Sequence, residues 1–242
     1  STGTESLFAN LNDSGAAAND TAQPLMQFAS ELSVRKDWQA GPQGAALEPA
    51  AALLNGVARA LKLNEPFAPG AIANTEAIKK AHERLTTDAA NLHNQRAAAA
   101  LAEFGNMFPS FTSSPEGAAT NAVDVLVNNR MASEMKNMGN QWLDIAKKKD
   151  IAVAGYTGSK FSEWFHKKMD PIYNQDRQNL KRMFLEPVGE NRVDPETGAP
   201  LTWMRYMSTY YNQFSPEDQK KIRELAEKKF GKHTLEYFTN VR

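Results

Sequence analysis

Cysteine is absent from the 242-residue chain, and its absence excludes two classes of protein. No disulfide framework can hold the fold, and no thiolate can serve as a nucleophile or a metal ligand. Histidine is scarce, with four residues, so the sequence gives little support for a nucleophile activated by an imidazole. The fold must depend on an apolar core, for which a hydrophobic fraction of 41% is sufficient.

Net charge and long apolar runs are also missing. Lysine plus arginine equals aspartate plus glutamate at 28 residues each, so no overall field directs the chain to nucleic acid or to an anionic membrane. No apolar run approaches the ~18 residues that a membrane-spanning helix needs, and we expect no such helix. The motifs Gly-x-x-x-x-Gly-Lys-Ser/Thr, Gly-x-Ser-x-Gly and His-Glu-x-x-His do not occur either.

Composition changes along the chain. Of the 35 alanines, 33 precede residue 155, whereas 14 of the 22 aromatic residues follow it. We therefore predict three regions: an N-terminal arm with short helices (1–70), a helical hairpin (71–150) and an aromatic-rich helical region (151–242). Because strands and helices do not alternate in the pattern, the sequence predicts an all-α fold whose main feature is a long antiparallel helical hairpin with additional short helices.

A turn at residues 106–117 is the predicted hinge of this hairpin. Pro109 cannot continue an incoming helix. Ser114 offers a side-chain oxygen as an N-cap, and Pro115 suits the first helical position, where a missing N–H costs nothing. Glu116 then lies at the positive end of the helix dipole.

The two arms of the hairpin are predicted at residues 72–105 and 115–149. Apolar residues of the first arm recur every seven positions, as in a weak coiled-coil seam; they are Ile78, Leu85, Leu92 and Ala99. Apolar residues of the second arm recur at steps of three and four; they are Val123, Val127, Met131, Met135, Met138, Trp142 and Ile145. This methionine-rich stripe is predicted to pack in the core, with a plastic contact surface as the alternative.

The other elements are shorter. Residues 1–23 have few apolar anchors and are predicted to form a loosely held arm. A short helix is predicted from about Pro24. Further helices are predicted at 49–63, 161–170, 172–185 and 203–214, and a last one begins at Ser215 and ends before Gly231. Residues 194–198 have the composition of a tight turn, and the final eleven residues are predicted to be a short strand or a docked tail.

Metal ligands and catalytic residues are hard to select from the sequence. His82 and His93 share a helical face but would lie about 16 Å apart at ~1.5 Å per residue. Glu163 and His166 have the Glu-x-x-His spacing of di-iron bundles, without the second such pair that those sites need. The sequence therefore predicts no metal, no cofactor and no catalysis. The alternative is a cell-wall hydrolase, for which the first glutamates to test are Glu163, Glu186 and Glu190.

A local excess of positive charge gives a second alternative. Nine basic residues and four acidic ones lie between Lys147 and Arg182. Aromatic residues are interleaved with them, a combination that proteins use to bind single strands; they are Tyr156, Phe161, Trp164, Phe165 and Tyr173. A packaging protein that contacts nucleic acid through residues 147–182 is thus the second alternative, against the simpler interpretation of a solvated helix face over an aromatic core.

Two segments carry a resemblance to a known family. The first is Phe108-Pro-Ser-Phe-Thr-Ser-Ser-Pro-Glu-Gly117, and the second is Gly158-Ser-Lys-Phe-Ser-Glu-Trp-Phe-His-Lys-Lys-Met-Asp-Pro-Ile-Tyr173. They resemble the turn between two long helices, and the downstream Phe-x-x-x-Trp and Asn-Pro-Leu-Phe-like segment, of an uncharacterised family of tailed-phage and prophage virion-associated structural proteins. Asp170 stands where that family usually has Asn, and Ile172-Tyr173 where it has Leu-Phe. The match covers about residues 70–175.

The resemblance implies a structural protein of the phage virion, as an internal, ejection or particle-joining component that acts in genome delivery or assembly. It carries no catalytic residues over to this chain. The expected partners are other virion proteins and the chain itself, because hairpin arms of about 50 Å at ~1.5 Å per residue exceed what the short helices can cover. We therefore expect homo-oligomerisation through the hairpin, with residues 1–23 lying on a neighbour.

Overall fold

The computed structural model describes residues 2–34, 47–68, 75–107, 115–148 and 158–238. Within these ranges the fold is all α, as predicted, and no β-strand is present apart from the isolated bridges Pro187–Thr202 and Val193–Pro200. The helices are α1 (Thr2–Ser33), α2 (Leu47–Ala60), α3 (Thr75–Asn91), α4 (Gln95–Met107), α5 (Pro115–Lys148), α6 (Gly158–Leu185), α7 (Trp203–Arg205), α8 (Pro216–Phe230) and α9 (Lys232–Leu235).

The prediction of a loosely held N-terminal arm is wrong for residues 2–23, which form one continuous helix with the segment after Pro24. The contact between this helix, α1, and α5 is the most extensive between any two described elements. Helix α1 also contacts α2, α4, α6 and α7. Small residues allow this close approach, since Gly15 and the three alanines after it are buried. The contacts of α1 reach all three predicted regions, whose boundaries stay a prediction.

Replacing Gly15 with alanine is expected to lower the free energy of unfolding by about 1–3 kcal/mol, as overpacking does. An alanine Cβ at this position would clash with Lys136 Cβ and lie 3.0 Å from the backbone oxygen of Ala132, so α1 and α5 would have to separate. Gly56 in α2 is the matched control, because no atom lies within 4 Å of its added Cβ. Gly56→Ala should raise stability by about 0.5–1 kcal/mol through helix propensity. Urea denaturation followed by circular dichroism measures the free energy of unfolding of both variants. Equal changes in Gly15→Ala and Gly56→Ala would contradict the close approach of α1 and α5.

The first arm of the predicted hairpin is two helices rather than one. The chain breaks between α3 and α4, where His93 adopts a left-handed φ of 51°. Asn94 then caps α4, its Oδ1 accepting a hydrogen bond from the Ala97 N–H at 3.1 Å. Because α4 folds back along α3, His82 Nε2 lies 2.7 Å from the Leu101 carbonyl. The seven-residue seam fails at this break, and Leu92 is 55% exposed.

The second arm is confirmed as α5, which begins at Pro115 as predicted. Of the turn predicted at 106–117, the first two residues belong to α4 and the last three to α5, and residues 108–114 lie outside the described residues. Along the predicted stripe Val123 and Val127 are buried, and the three methionines are partly buried against the core. Ile145, at the end of the stripe, is exposed.

The predicted helix end at Asp170-Pro171 is wrong, because α6 continues through Pro171 to Leu185. A proline inside a helix removes one backbone hydrogen bond. The buried face of α6 is unbroken across it, with Phe165 and Met169 before the proline and Tyr173 and Leu180 after it. Continuous burial therefore outweighs the local preference for a helix end.

The C-terminal region follows its local signals closely. Gly198 has a φ of 68° and closes the predicted turn with a hydrogen bond to the Asp194 carbonyl. Beyond α7 the helical path continues as a π turn (Tyr206–Tyr210) and a 3₁₀ turn (Tyr211–Gln213). Ser215 caps α8, which ends before Gly231 at a φ of 84°. The final residues as far as 238 form α9 and a buried turn, so the strand alternative is wrong there.

Candidate functional site

The three glutamates selected for a hydrolase do not have the environment of a catalytic acid. Glu163 and Glu190 are exposed on the surface. Glu186 accepts a hydrogen bond from Arg182 at 2.8 Å and pairs with Lys229 at 3.0 Å, and these cations lower its pKa, Arg182 most of all. A general acid at neutral pH needs a raised pKa, so Glu186 does not suit that role.

The three histidines already discussed also lie in separate places. His82 contacts a backbone carbonyl, His93 is exposed at the break between α3 and α4, and His166 Nδ1 lies 3.0 Å from Asp170 Oδ1. Glu163, one turn before His166, is exposed. The absence of a metal at these residues stays a prediction.

In the basic segment 147–182, the described residues 158–182 have most of their aromatic side chains in the core. Phe161, Phe165 and Tyr173 are buried in the core, and Trp164 is the one of the four described aromatics with a large exposed fraction, at 37%. Lys168 Nζ lies 5.0 Å from the ring centroid of Trp164. Within residues 158–182, base stacking would thus depend on Trp164, and nucleic-acid contact through the segment stays a prediction.

A polar cluster that joins α5, α6 and α9 is the most promising site. His233 lies at its centre, with Nδ1 donating to Asp176 Oδ2 at 2.6 Å and Nε2 donating to Glu134 Oε1 at 3.2 Å. Tyr237 donates to Asp176 Oδ2 at 2.9 Å, and Tyr173 donates to Glu134. We call these residues, together with Arg130, Thr234 and Glu236, the His233 cluster.

Local folding places each member of the His233 cluster. Asp176 follows Tyr173 by three positions, so both lie on the buried face of α6. Gly231 ends α8 and lets α9 turn back toward α5 and α6. Asn179 of α6 fixes this turn by donating to the Phe230 carbonyl at 2.6 Å. The His233 ring is thereby held between two carboxylates.

Electrostatics make His233 an imidazolium. Hydrogen bonds to Asp176 and then to Glu134 raise the pKa of His233 to about 10 although burial opposes the charge. Burial alone would raise the pKa of Glu134, but its hydrogen bonds with His233 and Tyr173 and the charge of Arg130 lower it to about 2. The histidine is therefore a charged bridge at neutral pH and not a general base.

A groove of about 490 Å³ between α1 and α5 opens beside the cluster. One end is formed by Arg130, Glu134, Glu236 and Tyr237, and the walls carry amides and hydroxyls. Polar contacts across the helix pair line it, among them Ser133 Oγ to Asn19 at 2.6 Å. The groove gives solvent and small ions a path to the carboxylates of the cluster.

Glu103 of α4 also belongs to this polar region. Asn129 Nδ2 donates to Glu103 Oε2 at 3.0 Å and to Thr21 Oγ1 at 2.9 Å, so one amide connects α1, α4 and α5. Burial raises the pKa of Glu103 to about 7, partly offset by the Asn129 hydrogen bond.

Replacing Glu103 with glutamine is expected to raise the free energy of unfolding by about 2–3 kcal/mol near pH 8 and to change it little below pH 4.5. The raised pKa means that the folded state binds more protons than the unfolded state between pH 4.5 and about 7. Wild-type stability thus falls as the pH rises through this window, and glutamine removes the loss. Urea denaturation at both pH values measures the effect, with the exposed Glu163→Gln as the control. Equal stabilities of wild type and Glu103→Gln near pH 8 would contradict the buried charge.

A second polar cluster surrounds Arg205, whose side chain is 2% exposed. Its guanidinium donates to Asp194 at 2.9 Å, to Glu31 at 2.6 Å and to Glu196 at 2.6 Å. The Asp194 carboxylate is fully buried and also accepts hydrogen bonds from Tyr210 and from two N–H groups of its own turn. The pKa of Arg205 is raised despite burial, because of Asp194 and Glu31. The Arg205 cluster therefore fastens α1 to the turn at 194–198.

Sequence reasoning missed the members of both clusters. The partners of His233 are 57 and 99 residues away, and Glu31 is 174 residues from Arg205. Such pairs have no local spacing that a motif could reveal. The one local signal was Asp194-Pro-Glu-Thr-Gly198, which predicted the turn but not its buried arginine.

Comparisons with protein-family models, with curated proteins and with solved structures find no match to this chain. Among the described helices, none is long and apolar enough to cross a membrane, in agreement with the sequence.

Proposed function

We propose that this chain is a structural protein of a tailed-phage virion, as an internal, ejection or particle-joining component without catalytic activity. The proposal is supported by the resemblance of the segments that end at Gly117 and Tyr173 to phage structural proteins. The all-α fold is compatible with that family, whose segments join long helices.

The main support for a structural role is that charged side chains in the interior pair with one another across helices. His233 is held as a cation between two carboxylates, and Arg205 donates to three. Both clusters connect helices that are far apart in the sequence, so they work as fixed cross-links. An active site needs instead a group that is free to gain or lose a proton near neutral pH.

Mass spectrometry of purified virions tests the proposal directly. The expected result is a full set of peptides from this chain in gradient-purified particles, at several copies per particle and enriched over host proteins. Absence of the chain from the particles, while it is present in the infected cell, would overturn the proposal.

A virion-carried cell-wall hydrolase is the alternative, and Glu103 is the observation that favours it. A buried carboxyl group with a pKa of about 7 is what a general acid requires at neutral pH. A peptidoglycan zymogram with the purified chain separates the two functions. Clearing that disappears in Glu103→Gln but persists in Glu163→Gln would establish the hydrolase, and an absence of clearing favours the structural role.

Self-association of the chain stays a prediction. The argument that a free N-terminal arm would lie on a neighbour is weakened by the fold. The apolar residues of the predicted arm pack inside the chain, since Phe8 is buried and Leu11 is partly buried against the core. No free arm in residues 2–23 is thus left to cover a neighbour. Light scattering over a concentration series should show a mass above the 26.8 kDa of one chain; a constant monomer mass would exclude homo-oligomerisation.

A further inference from the structure

Three side chains that commonly bind transition metals meet where the groove reaches the His233 cluster. They are Glu134 of α5, His233 of α9 and Glu236 just after α9, and one ligand atom from each lies within 4.8 Å of the other two. Ligand atoms around a tetrahedral ion with bonds of about 2.0–2.2 Å lie roughly 3.3–3.6 Å apart. His233 Nε2 and Glu134 Oε1, at 3.2 Å, already have nearly this spacing. Glu236 is 44% exposed and can move the remaining distance.

The histidine of this group is oriented as metal-bound histidines are. Its Nδ1 donates at 2.6 Å to Asp176, a carboxylate that is 3% exposed. Asp176 is held in turn by Thr234 at 3.0 Å and by Tyr237 at 2.9 Å. A carboxylate on Nδ1 fixes the ring so that Nε2 faces the ion, and it increases the basicity of the ligand.

The Arg130 guanidinium lies between the carboxylates of Glu134 and Glu236, where a metal ion would bind. Its Nε donates to Glu134 at 2.6 Å and its Nη2 donates to Glu236 at 3.0 Å, so it bridges the two carboxylates that an ion would share. The Arg130 side chain is 21% exposed and lines the groove. It can therefore turn into the groove and leave the carboxylates to an ion.

Charge balance favours an ion of charge two. Three carboxylates, Glu134, Asp176 and Glu236, face the Arg130 guanidinium, which leaves two negative charges when His233 binds an ion as a neutral imidazole. When a divalent ion replaces the Nε2 proton of His233, that proton passes to solvent and the carboxylates are balanced by the ion and Arg130. The cluster is then neutral.

We propose that Glu134, His233 and Glu236 form a binding site for a divalent transition metal of the Zn²⁺ type, with a water in the fourth position toward the groove. One imidazole and two carboxylates suit such ions, whereas Mg²⁺ and Ca²⁺ prefer oxygen ligands throughout. The ion joins α5 to the segment that follows α8, and so closes the C-terminal end of the chain onto its longest described helix. This site is independent of the proposed virion function.

Isothermal titration of the chelator-treated full chain with Zn²⁺ tests the site. We expect one ion per chain, and no comparable heat with Mg²⁺. Glu236→Gln, at a half-exposed position, should leave the far-UV spectrum unchanged and weaken Zn²⁺ binding at least about tenfold, and His233→Gln should weaken it more. Arg130→Gln should strengthen binding, because the competing cation is removed. Visible absorption of the Co²⁺-loaded chain should change between wild type and Glu236→Gln.

The matched control is His166→Gln. His166 also bonds a carboxylate through Nδ1, at 3.0 Å from Asp170, but it lies on the exposed surface of α6. Its replacement should leave Zn²⁺ binding unchanged. The proposal is overturned by an absence of saturable Zn²⁺ binding, by equal affinity in wild type and Glu236→Gln, or by loss of binding in His166→Gln. If His233→Gln does not fold, the affinity of Glu236→Gln for Zn²⁺ still tests the proposal.

Discussion

Arg205→Met is expected to lower the free energy of unfolding by about 3–5 kcal/mol, the cost of removing one partner from a buried ion pair. Methionine has a similar length and helix propensity, so the main change is the loss of charge and of hydrogen-bond donors. Asp194, with a fully buried side chain, and Glu31, 12% exposed, would then lose the guanidinium that balances them.

The matched control for Arg205 is Arg177→Met. Arg177 pairs with Asp124 at 3.2 Å, with 34% and 49% of the two side chains exposed. Exposed pairs of this kind contribute about 0–1 kcal/mol. Urea denaturation of both variants should therefore separate them by at least about 2 kcal/mol, and similar losses would contradict the role assigned to the buried arginine.

A double variant distinguishes the uncompensated charge from the lost contacts. If the carboxylate left behind causes the loss, Arg205→Met combined with Asp194→Asn should be more stable than the sum of the two single changes predicts. Additive losses would show instead that packing and turn geometry dominate at the Arg205 cluster.

Asp176→Asn is expected to lower the free energy of unfolding by about 3 kcal/mol, because the partly buried imidazolium of His233 loses its nearest counter-charge, a carboxylate that is 3% exposed. Asparagine keeps the shape, but its NH2 group replaces one carboxylate oxygen and therefore faces a group that already donates, either Thr234 at Oδ1 or Tyr237 at Oδ2. Part of the cost is thus an unsatisfied buried donor, worth about 1–3 kcal/mol. Thermal and urea denaturation in the presence of a chelator measure the change without a contribution from metal.

The control for Asp176 is Asp170→Asn, which alters the other histidine–aspartate pair of α6. His166 and Asp170 are 44% and 54% exposed, so the change should be within about 0.5 kcal/mol. A loss at Asp170 equal to that at Asp176 would contradict the importance of burial.

The pH dependence gives Asp176→Asn a second signature. His233 has a pKa of about 10 in the folded chain and 6.5 without its partners, so the folded state binds the extra proton between these values. Its contribution is complete below pH 6.5 and is lost as the pH rises toward 10. The slope of stability against pH in this window should be smaller in Asp176→Asn than in wild type, and an unchanged slope would contradict the assignment.

Elements with local end signals could be predicted from the sequence. The start of α8 at Ser215-Pro216 and its end at Gly231 depend on capping and on a left-handed glycine, which act within a few residues. The start of α5 at Pro115 was also predicted, because proline suits the first position of a helix. Such signals do not require knowledge of the partner helix.

Elements fixed by distant packing were predicted wrongly. The residues of α1 have few large apolar side chains, and the helix is stabilised by small residues such as Gly15 against α5, a partner more than 100 residues away. Pro171 is a helix breaker locally, yet α6 passes through it because its buried face continues. The members of the His233 cluster come from α5, α6 and α9, and their meeting depends on the whole fold.

The position of α1 at the centre of the fold has a consequence for synthesis. Asn19 must meet Ser133, 114 residues later, and Ser30 must meet Thr209, 179 residues later. At about 5–20 residues per second, α1 emerges from the ribosome roughly 6–23 s before the facing part of α5 exists. Its apolar face, with Phe8 and Leu25, has no α5 to cover it during this interval. Until α5 has been made, this face can be covered by α2 and α4, which also contact α1 in the finished fold.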